Sequence, residues 1–444
     1  MTLSVAIVGS GPSGFYAAEA LLQQGEVAID LIERLPTPFG LVRGGVAPDH
    51  QTTKQVVRAF ERTAQDEAVA YFGNVEIGRD LSMDELRGLY DAVILAVGAP
   101  ADRPLGIPGE GLPGVVGSAA FVGWYNGHPD FAGTDPPLDG RRAVVVGNGN
   151  VALDVARVLV KTPQEMAASD IACEAAAAIG AAPLEEVVLL GRRGPVEARF
   201  SYKELREMGS LAAAATVVAE DQLPEEAPAG LPERDRRVVA RNLEILRGFA
   251  AGGDPAKPKR VRFEFYARPV AVLGGARVEG LRWERTALRD GRVVGTGETH
   301  DLPCGLIVPA IGYRSIRLAG VPFDAERGRL RNRDGRIAEG LYCVGWCRRG
   351  PSGVIGSNKQ DGDQAAATIA REIRPRVAAG GGKPGRAGLR RLLAERSLRW
   401  IDYPDWLAID AAERAAATGG APRRKFVTVA DMLALLDRGG QPGA

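Results

Sequence analysis

Ser4-Val5-Ala6-Ile7-Val8-Gly9-Ser10-Gly11-Pro12-Ser13-Gly14 stands near the start of this 444-residue chain and decides how the rest is read. Residues 4–8 are a short apolar run with β-branched members, the pattern of a buried strand. Residues 15–22, Phe-Tyr-Ala-Ala-Glu-Ala-Leu-Leu, carry a helical pattern. Strand, glycine turn and helix together form the phosphate-cradling unit of a dinucleotide fold. Gly9 permits the tight turn, Gly11 lets a pyrophosphate meet the backbone, and Gly14 lets the helix pack close to the strand. The helix start adds unpaired N–H groups and the positive end of its dipole. A second apolar strand over 27–32 ends in Glu33, where an acid that holds ribose hydroxyls belongs. The plain alternative is a glycine-rich turn beside an exposed glutamate.

The same device recurs. Residues 142–146, Arg-Ala-Val-Val-Val, read as a strand, and Gly147-Asn148-Gly149-Asn150-Val151-Ala152 as its turn, with a helix over 153–161. Alanine is a permitted third member of the motif. Two such units imply two dinucleotides. The second ends differently: the strand over 187–190 runs into Gly191-Arg192-Arg193-Gly194. Two guanidinium forks suit a phosphate dianion, which an acid would repel, so NADP is expected here rather than NAD. A solvated basic turn is the alternative, and the insertion between Lys161 and Glu185 lengthens the usual spacing.

Between these units the loop 34–50, with three prolines, leaves the strand end where a ligand would sit. A helix is expected around 56–64, and strands over 71–77 and 90–97. Residues 99–140 read as loop-rich, with a domain crossing at their start. Further on, 200–208 is helical, with Glu204 and Glu207 on one face. Residues 211–230 read as an acidic loop, and 232–249 as a helix carrying Arg234, Arg236, Arg237, Arg241 and Arg247. Strands over 260–266, 270–273 and 278–285 are expected to form a meander. Two more strands, over 306–312 and 341–346, precede a glycine-rich turn, a helix over 361–371 and a mostly helical tail through 435.

The formal net charge of +1 gives no global reason to expect nucleic acid or an anionic membrane. No apolar run reaches the roughly 18 residues of a membrane span. A signal peptide is not expected, and four cysteines do not make a disulfide scaffold. A cytoplasmic enzyme fits best.

GSGPSG, PTPFGLVRGGVAPDH, GNGNVALDVAR, GRRGP with KELREM, and VGWCRRGPSGVIGSN follow one another in family order from residue 7 to 358. The set resembles the adrenodoxin-reductase type of ferredoxin–NADP⁺ reductase, and with the tail the resemblance covers essentially the whole chain. It implies an α/β, glutathione-reductase-like architecture of two Rossmann-type dinucleotide-binding domains, the NADP domain inserted into the FAD domain. The expected boundaries are 1–101 and 325–444 for FAD, and 102–324 for NADP. Besides Gly9 and Gly11 of the turn itself, the resemblance assigns FAD contacts to Ser13, Gly14, Glu33, Leu41, Val75, Trp346, Gly353, Val354 and Ile355. NADP contacts fall on Arg103, Asn148, Gly149, Asn150, Val151, Arg192, Arg193, Glu204 and Gly353. His50 and Glu207 are the family's polar residues near the flavin and are the expected catalytic pair, although His50 read alone equally suits a helix cap. No metal site is expected. Glu197 departs from the family, which usually has an amide there, and would weaken NADP binding. Cys343 and Cys347 carry no family role.

The resemblance and the residues point to the same route. NADPH gives hydride to FAD, and electrons leave singly to an iron–sulfur carrier such as ferredoxin. A thiol–disulfide reductase needs a redox-active cysteine pair, and the CxxxC of Cys343 and Cys347 would need a helical turn that the glycine and strand pattern disfavour. The chain lacks the four-cysteine spacing of its own cluster. A small acidic ferredoxin, docking partly on the arginines of 232–249, is the expected partner, and a monomer the expected state. The alternatives are an NADPH-dependent flavoprotein reductase or monooxygenase with another acceptor, an electron-input subunit like the small subunit of glutamate synthase, and a non-enzymatic NADP sensor.

Overall fold

In the computed structural model, which describes residues 2–439, the strand Leu3–Val8 is buried at every position. It pairs in parallel with Val27–Ile32 on one side and Ala92–Leu95 on the other. Val69–Phe72 extends the sheet beyond Val27–Ile32. Leu341–Cys343 and Arg336–Ala338 extend it beyond Ala92–Leu95, so that six strands combine both ends of the chain. Only the outermost pair is antiparallel. Strands covered on both faces in this way need not alternate, which is why they read as continuous apolar runs. The helix Pro12–Leu22 crosses Asn358–Glu372 so closely that a Cβ at Gly362 would stand 2.7 Å from the Tyr16 carbonyl oxygen.

A second sheet holds five parallel strands in the order Leu306–Pro309, Arg142–Val146, Glu186–Leu190, Lys259–Glu264, Ala214–Val218. Leu3–Val8 and Arg142–Val146 each stand between a strand that follows them directly and one from later in the chain. The crevice at the carboxyl ends beside such a strand is where open α/β sheets take ligands. Ala101–Asp102 pairs antiparallel with Tyr313–Arg314, so the two chain crossings between the sheets lie side by side. A three-stranded antiparallel sheet, Ala267–Leu273, Gly280–Arg289 and Arg292–Pro303, packs through Val272, Leu281 and Trp283 onto Val144 and Val188 of the second sheet.

Several expectations are corrected. Lys259–Glu264 does not begin the meander; it lies in the parallel sheet, and Arg292–Pro303 supplies the third antiparallel strand. Ala214–Val218 is a strand within the segment read as loop: it is the edge of the sheet, paired with Lys259–Glu264 alone, and the alanines that open it carry a weak strand signal. A helix, Ser118–Tyr125, stands in the proline-rich stretch, apolar around almost its whole surface because both sides are buried. The strand expected over 71–77 is Val69–Phe72, and Asn74, at φ +62°, turns the chain away after it. A helical turn does exist at Cys347, within Trp346–Arg349, where none was expected.

Candidate dinucleotide sites and the charged junction between them

At the first turn Gly9 has φ +104°, and a Cβ there would stand 2.6 Å from the Ala96 carbonyl oxygen. A Cβ at Gly14 would stand 2.1 Å from the carbonyl oxygen of Gly9. Both glycines are therefore required by the protein itself. Gly11 is different: an added Cβ would meet nothing closer than the Gly40 Cα, at 3.8 Å. Its bareness leaves the turn open toward a ligand. The Ser10 N–H and hydroxyl donate to Glu33 Oε2 at 3.0 and 2.9 Å, fixing the acid at the end of the second strand. The Ser13 hydroxyl donates to Asn358 Oδ1 at 3.1 Å. Val75 is buried, and its N–H donates to the Glu33 carbonyl at 2.9 Å.

Leu41 is 40% exposed, and Val354, at 73%, is the most exposed large apolar side chain among the described residues. Val354 follows Gly353, which has φ +83°, and precedes the half-buried Ile355. Trp346 donates from Nε1 to the Ser352 carbonyl at 3.1 Å, and its ring lies 6.1 Å from that of Tyr313 on the second crossing. An open glycine turn, an oriented acid and uncovered apolar side chains are what a flavin dinucleotide requires, so the residues fit FAD.

The second turn keeps the same frame. Gly147 has φ +146°, and a Cβ would stand 2.3 Å from the Ala310 carbonyl oxygen; at Gly149 it would meet nothing. Asn148 lies over Gly191, where a Cβ would fall 1.7 Å from its Nδ2, and Asn148 Oδ1 is buried without a hydrogen-bond partner. Asn150 Oδ1 accepts from the Ser201 N–H at 2.8 Å, and Val151 is half-buried behind it. Arg192 and Arg193 make no side-chain hydrogen bond or ion pair among the described residues, though Thr286 donates to the Arg192 carbonyl at 2.9 Å. Arg103 is exposed on the crossing, its N–H on the Gly312 carbonyl at 3.1 Å. Unpaired cations beside a bare turn suit a phosphorylated dinucleotide.

His50 opens the helix Gln51–Lys54 without capping it. Its side chain crosses instead to the second sheet's layer: Nε2 lies 2.8 Å from Glu207 Oε2 and 3.5 Å from Glu204 Oε2, and Nδ1 lies 3.9 Å from Asp154 Oδ1. Burial opposes the imidazolium, but the Glu207 hydrogen bond and the charges of Asp154 and Glu204 outweigh it and hold His50 above its ordinary pKa. Glu204, expected against NADP, thus stands at this junction, its carboxyl raised by burial and by Asp154.

Beside His50 is an ion pair that the sequence did not announce. Arg157 is fully buried and grips Asp49 with Nε and Nη2, at 2.8 and 3.1 Å. Asp154 stands 2.9 Å and Glu207 3.3 Å from the same guanidinium, and Lys161 donates to Asp49 at 2.7 Å. Asp49 overcomes its burial through Arg157 and Lys161 and is held far below the ordinary carboxylate range. A second buried group joins three segments: Asp170 pairs with Lys54 at 2.5 Å and Lys425 at 3.1 Å. The available signal was an arginine on the apolar face of a helix, among Leu153, Ala156 and Val160, where a charge needs a partner.

The four cysteines are free. Cys343 and Cys347 are buried, and burial pushes both thiols up, Cys347 to about 11. On 232–249, Arg236 and Arg237 share Glu233 and Arg247 holds the carbonyls of Pro224 and Glu225, leaving less free charge than the sequence implied. Arg241 lies over the Tyr202 ring, 5.1 Å from its centroid.

Two parallel sheets, each with a glycine turn at its carboxyl edge, one finished by an acid and the other by two arginines, define a two-dinucleotide oxidoreductase. Residues 3–208 match the family described as Pyridine nucleotide-disulphide oxidoreductase. The NADPH-ferredoxin reductase FprA of Mycobacterium tuberculosis is 41% identical over 457 residues, spanning 97% of this chain and 98% of that protein. The mitochondrial NADPH:adrenodoxin oxidoreductase of Homo sapiens is 40% identical over 457 residues, spanning 98% and 92%. A solved structure of the M. tuberculosis FprA in complex with NADPH superposes with a TM-score of 0.92, at 40% identity, over 98% of this chain and 99% of that one. The chain belongs to the adrenodoxin-reductase type of ferredoxin–NADP⁺ reductases.

Proposed function

We propose that this protein is an FAD-dependent NADPH:ferredoxin oxidoreductase. The observation that carries the proposal is the pair Arg192 and Arg193, unpaired among the described residues just past Gly191, where the first strand pair ends instead in the acid Glu33. FAD, when bound, accepts a hydride from NADPH and releases electrons one at a time. The chain's own residues bind and orient. The open turn at Gly11, with Ser13, Gly14 and Glu33, holds the flavin dinucleotide, and Leu41, Val75, Trp346, Gly353, Val354 and Ile355 supply its remaining walls. Asn148, Gly149, Asn150 and Val151 receive the pyrophosphate of NADPH, Arg192 and Arg193 its 2′-phosphate, and Arg103 a further phosphate oxygen. His50 holds a proton at Nε2 against Glu207, whose carboxyl is held below its ordinary range by that hydrogen bond and, after it, by the charge of the buried Arg157.

The same reading takes 1–101 with 325–444 as the FAD domain and 102–324 as the NADP domain, the junction at Asp49 and Arg157 fixing one against the other. A buried cysteine pair with raised pKa values does not suit thiol exchange, which needs an accessible thiolate. Electrons therefore leave to a separate one-electron iron–sulfur carrier, an acidic one docking near Arg234 and Arg241. No helix among the described residues is long and apolar enough to cross a membrane; a cytoplasmic monomer completes the proposal, with light scattering the check on its mass.

The test is turnover. Flavin-loaded protein is mixed with NADPH and an oxidised [2Fe–2S] ferredoxin under argon. Ferredoxin bleaching that slows as salt rises supports the proposal. Flavin reduction with no electron transfer to ferredoxin under argon, but rapid reoxidation once oxygen and an organic substrate are admitted, favours a monooxygenase.

A further inference from the structure

The second strand pair lacks an acid where the first has Glu33, because Gly191 and the amide of Asn148 fill that space. A carboxylate returns six residues later. Gly194 begins a tight turn, Pro195–Glu197, in which the Glu197 N–H bonds back to the Gly194 carbonyl at 3.3 Å. Tyr266 closes over this turn. A Cβ at Gly194 would fall 2.2 Å from the Tyr266 hydroxyl, and the Tyr266 N–H donates to the Arg193 carbonyl at 3.3 Å. Burial, then the charge of Glu197, raises the Tyr266 phenol.

Glu197 Oε2 is buried and has no hydrogen-bond partner, and among the described residues no arginine or lysine pairs with the carboxylate. A buried acceptor with no donor is costly unless a ligand supplies one. Arg192 and Arg193, at the start of the same turn, are likewise free among the described residues, and the exposed Arg199 two residues on makes no ion pair with Glu197. The site thus offers a fork of donors and, within one short turn, a lone acceptor. A 2′-phosphate dianion satisfies the donors and is repelled by the acceptor. A ribose with free hydroxyls supplies donors to the acceptor and leaves the arginines to water.

We infer that Glu197 is a specificity-determining residue that narrows this site's preference for 2′-phosphorylated nucleotides and admits NADH as a second reductant. The inference rests on the reading of the second turn as an NADP site. Removing the charge from Glu197 therefore strengthens the preference for the phosphate without creating it.

The experiment measures calorimetric binding of 2′,5′-ADP and of 5′-AMP, which lacks the 2′-phosphate, to the flavin-loaded wild type and to Glu197→Gln and Glu197→Ala. Melting curves confirm that the variants are folded. With a like charge removed at partly screened range, 2′,5′-ADP is expected to tighten about fivefold. Binding of 5′-AMP is expected to weaken or stay constant, so that the ratio widens in both variants. The ratio of kcat/KM for NADPH over NADH should widen in parallel. A wild type that prefers 2′,5′-ADP, with the ratio unchanged in both variants, overturns the role of Glu197 alone. A wild type with no preference overturns the NADP reading and this inference with it.

Discussion

The two glycine turns share a skeleton and differ in what completes it. In the first, the Gly9 N–H donates to the Ile32 carbonyl and the Ala96 N–H to the Val8 carbonyl; in the second, Gly147 donates to Leu190 and Ala310 to Val146, all at 2.7–2.9 Å. The equivalence makes Ser10 the counterpart of Asn148, and Glu33 that of Gly191. Ser10 ties down the acid with two hydrogen bonds, whereas Asn148 lies over a bare glycine with Oδ1 unpaired. The third motif position sharpens the contrast. Gly14 has no room for a Cβ, but its counterpart Ala152 carries one and is fully buried. The first turn fixes its acid with the protein's own hydrogen bonds. The second leaves Arg192, Arg193 and the Asn148 Oδ1 without partners among the described residues.

The largest expected effect falls on the ion pair that holds the two regions together. Arg157→Met leaves Asp49 with Lys161 alone and takes the guanidinium from Asp154, and breaking a buried pair this way costs about 3–5 kcal/mol. Chemical denaturation should show that destabilisation, while an unchanged midpoint would show that water already supports Asp49. Next comes Gly14→Ala, which forces the turn apart; overpacking of this kind costs about 1–3 kcal/mol. Flavin content and melting temperature should fall together. Gly149→Ala in the second turn meets open space and should leave stability within about 0.5 kcal/mol of wild type while weakening NADPH. Equal damage from both substitutions would show that the contact of Gly14 with the Gly9 carbonyl is not what sets that position apart.

Arg192→Ala with Arg193→Ala addresses affinity. Removing a charge-assisted hydrogen bond costs about 1.5–3 kcal/mol, so the KM for NADPH should rise by roughly one to two decades and that for NADH far less. The smallest effect belongs to His50. Its pKa is raised in the folded protein above the ordinary 6.5, so its stabilisation is fully present below that value and fades as pH rises through the folded pKa. His50→Gln should flatten this part of the stability profile. A wild-type profile with no decline above neutrality would show that Glu207 does not hold the proton.

The parts legible in the sequence are those whose requirements are local. A glycine turn needs its glycines at fixed offsets, and Gly9, Gly14 and Gly147 are where backbone would otherwise collide. The end of the strand Glu186–Leu190 was readable because Gly191, Arg192 and Arg193 follow an apolar run immediately. The parts that were not legible depend on distant partners. Lys259–Glu264 pairs with strands on either side whose register no turn announces, so it was read as part of the hairpin that follows it. Asp49 and Arg157 stand 108 residues apart. Glu204 shares a helix with Glu207, and only the position of His50 against that helix shows which way the acids face.

The most direct test is anaerobic stopped-flow absorbance of the flavin-loaded protein mixed with NADPH or NADH in separate shots. The account predicts tightly held flavin that bleaches faster with NADPH, with the Arg192→Ala, Arg193→Ala double variant losing most of the difference. A purified chain that binds no flavin, or flavin that bleaches equally with both nucleotides in wild type and variant alike, would contradict it.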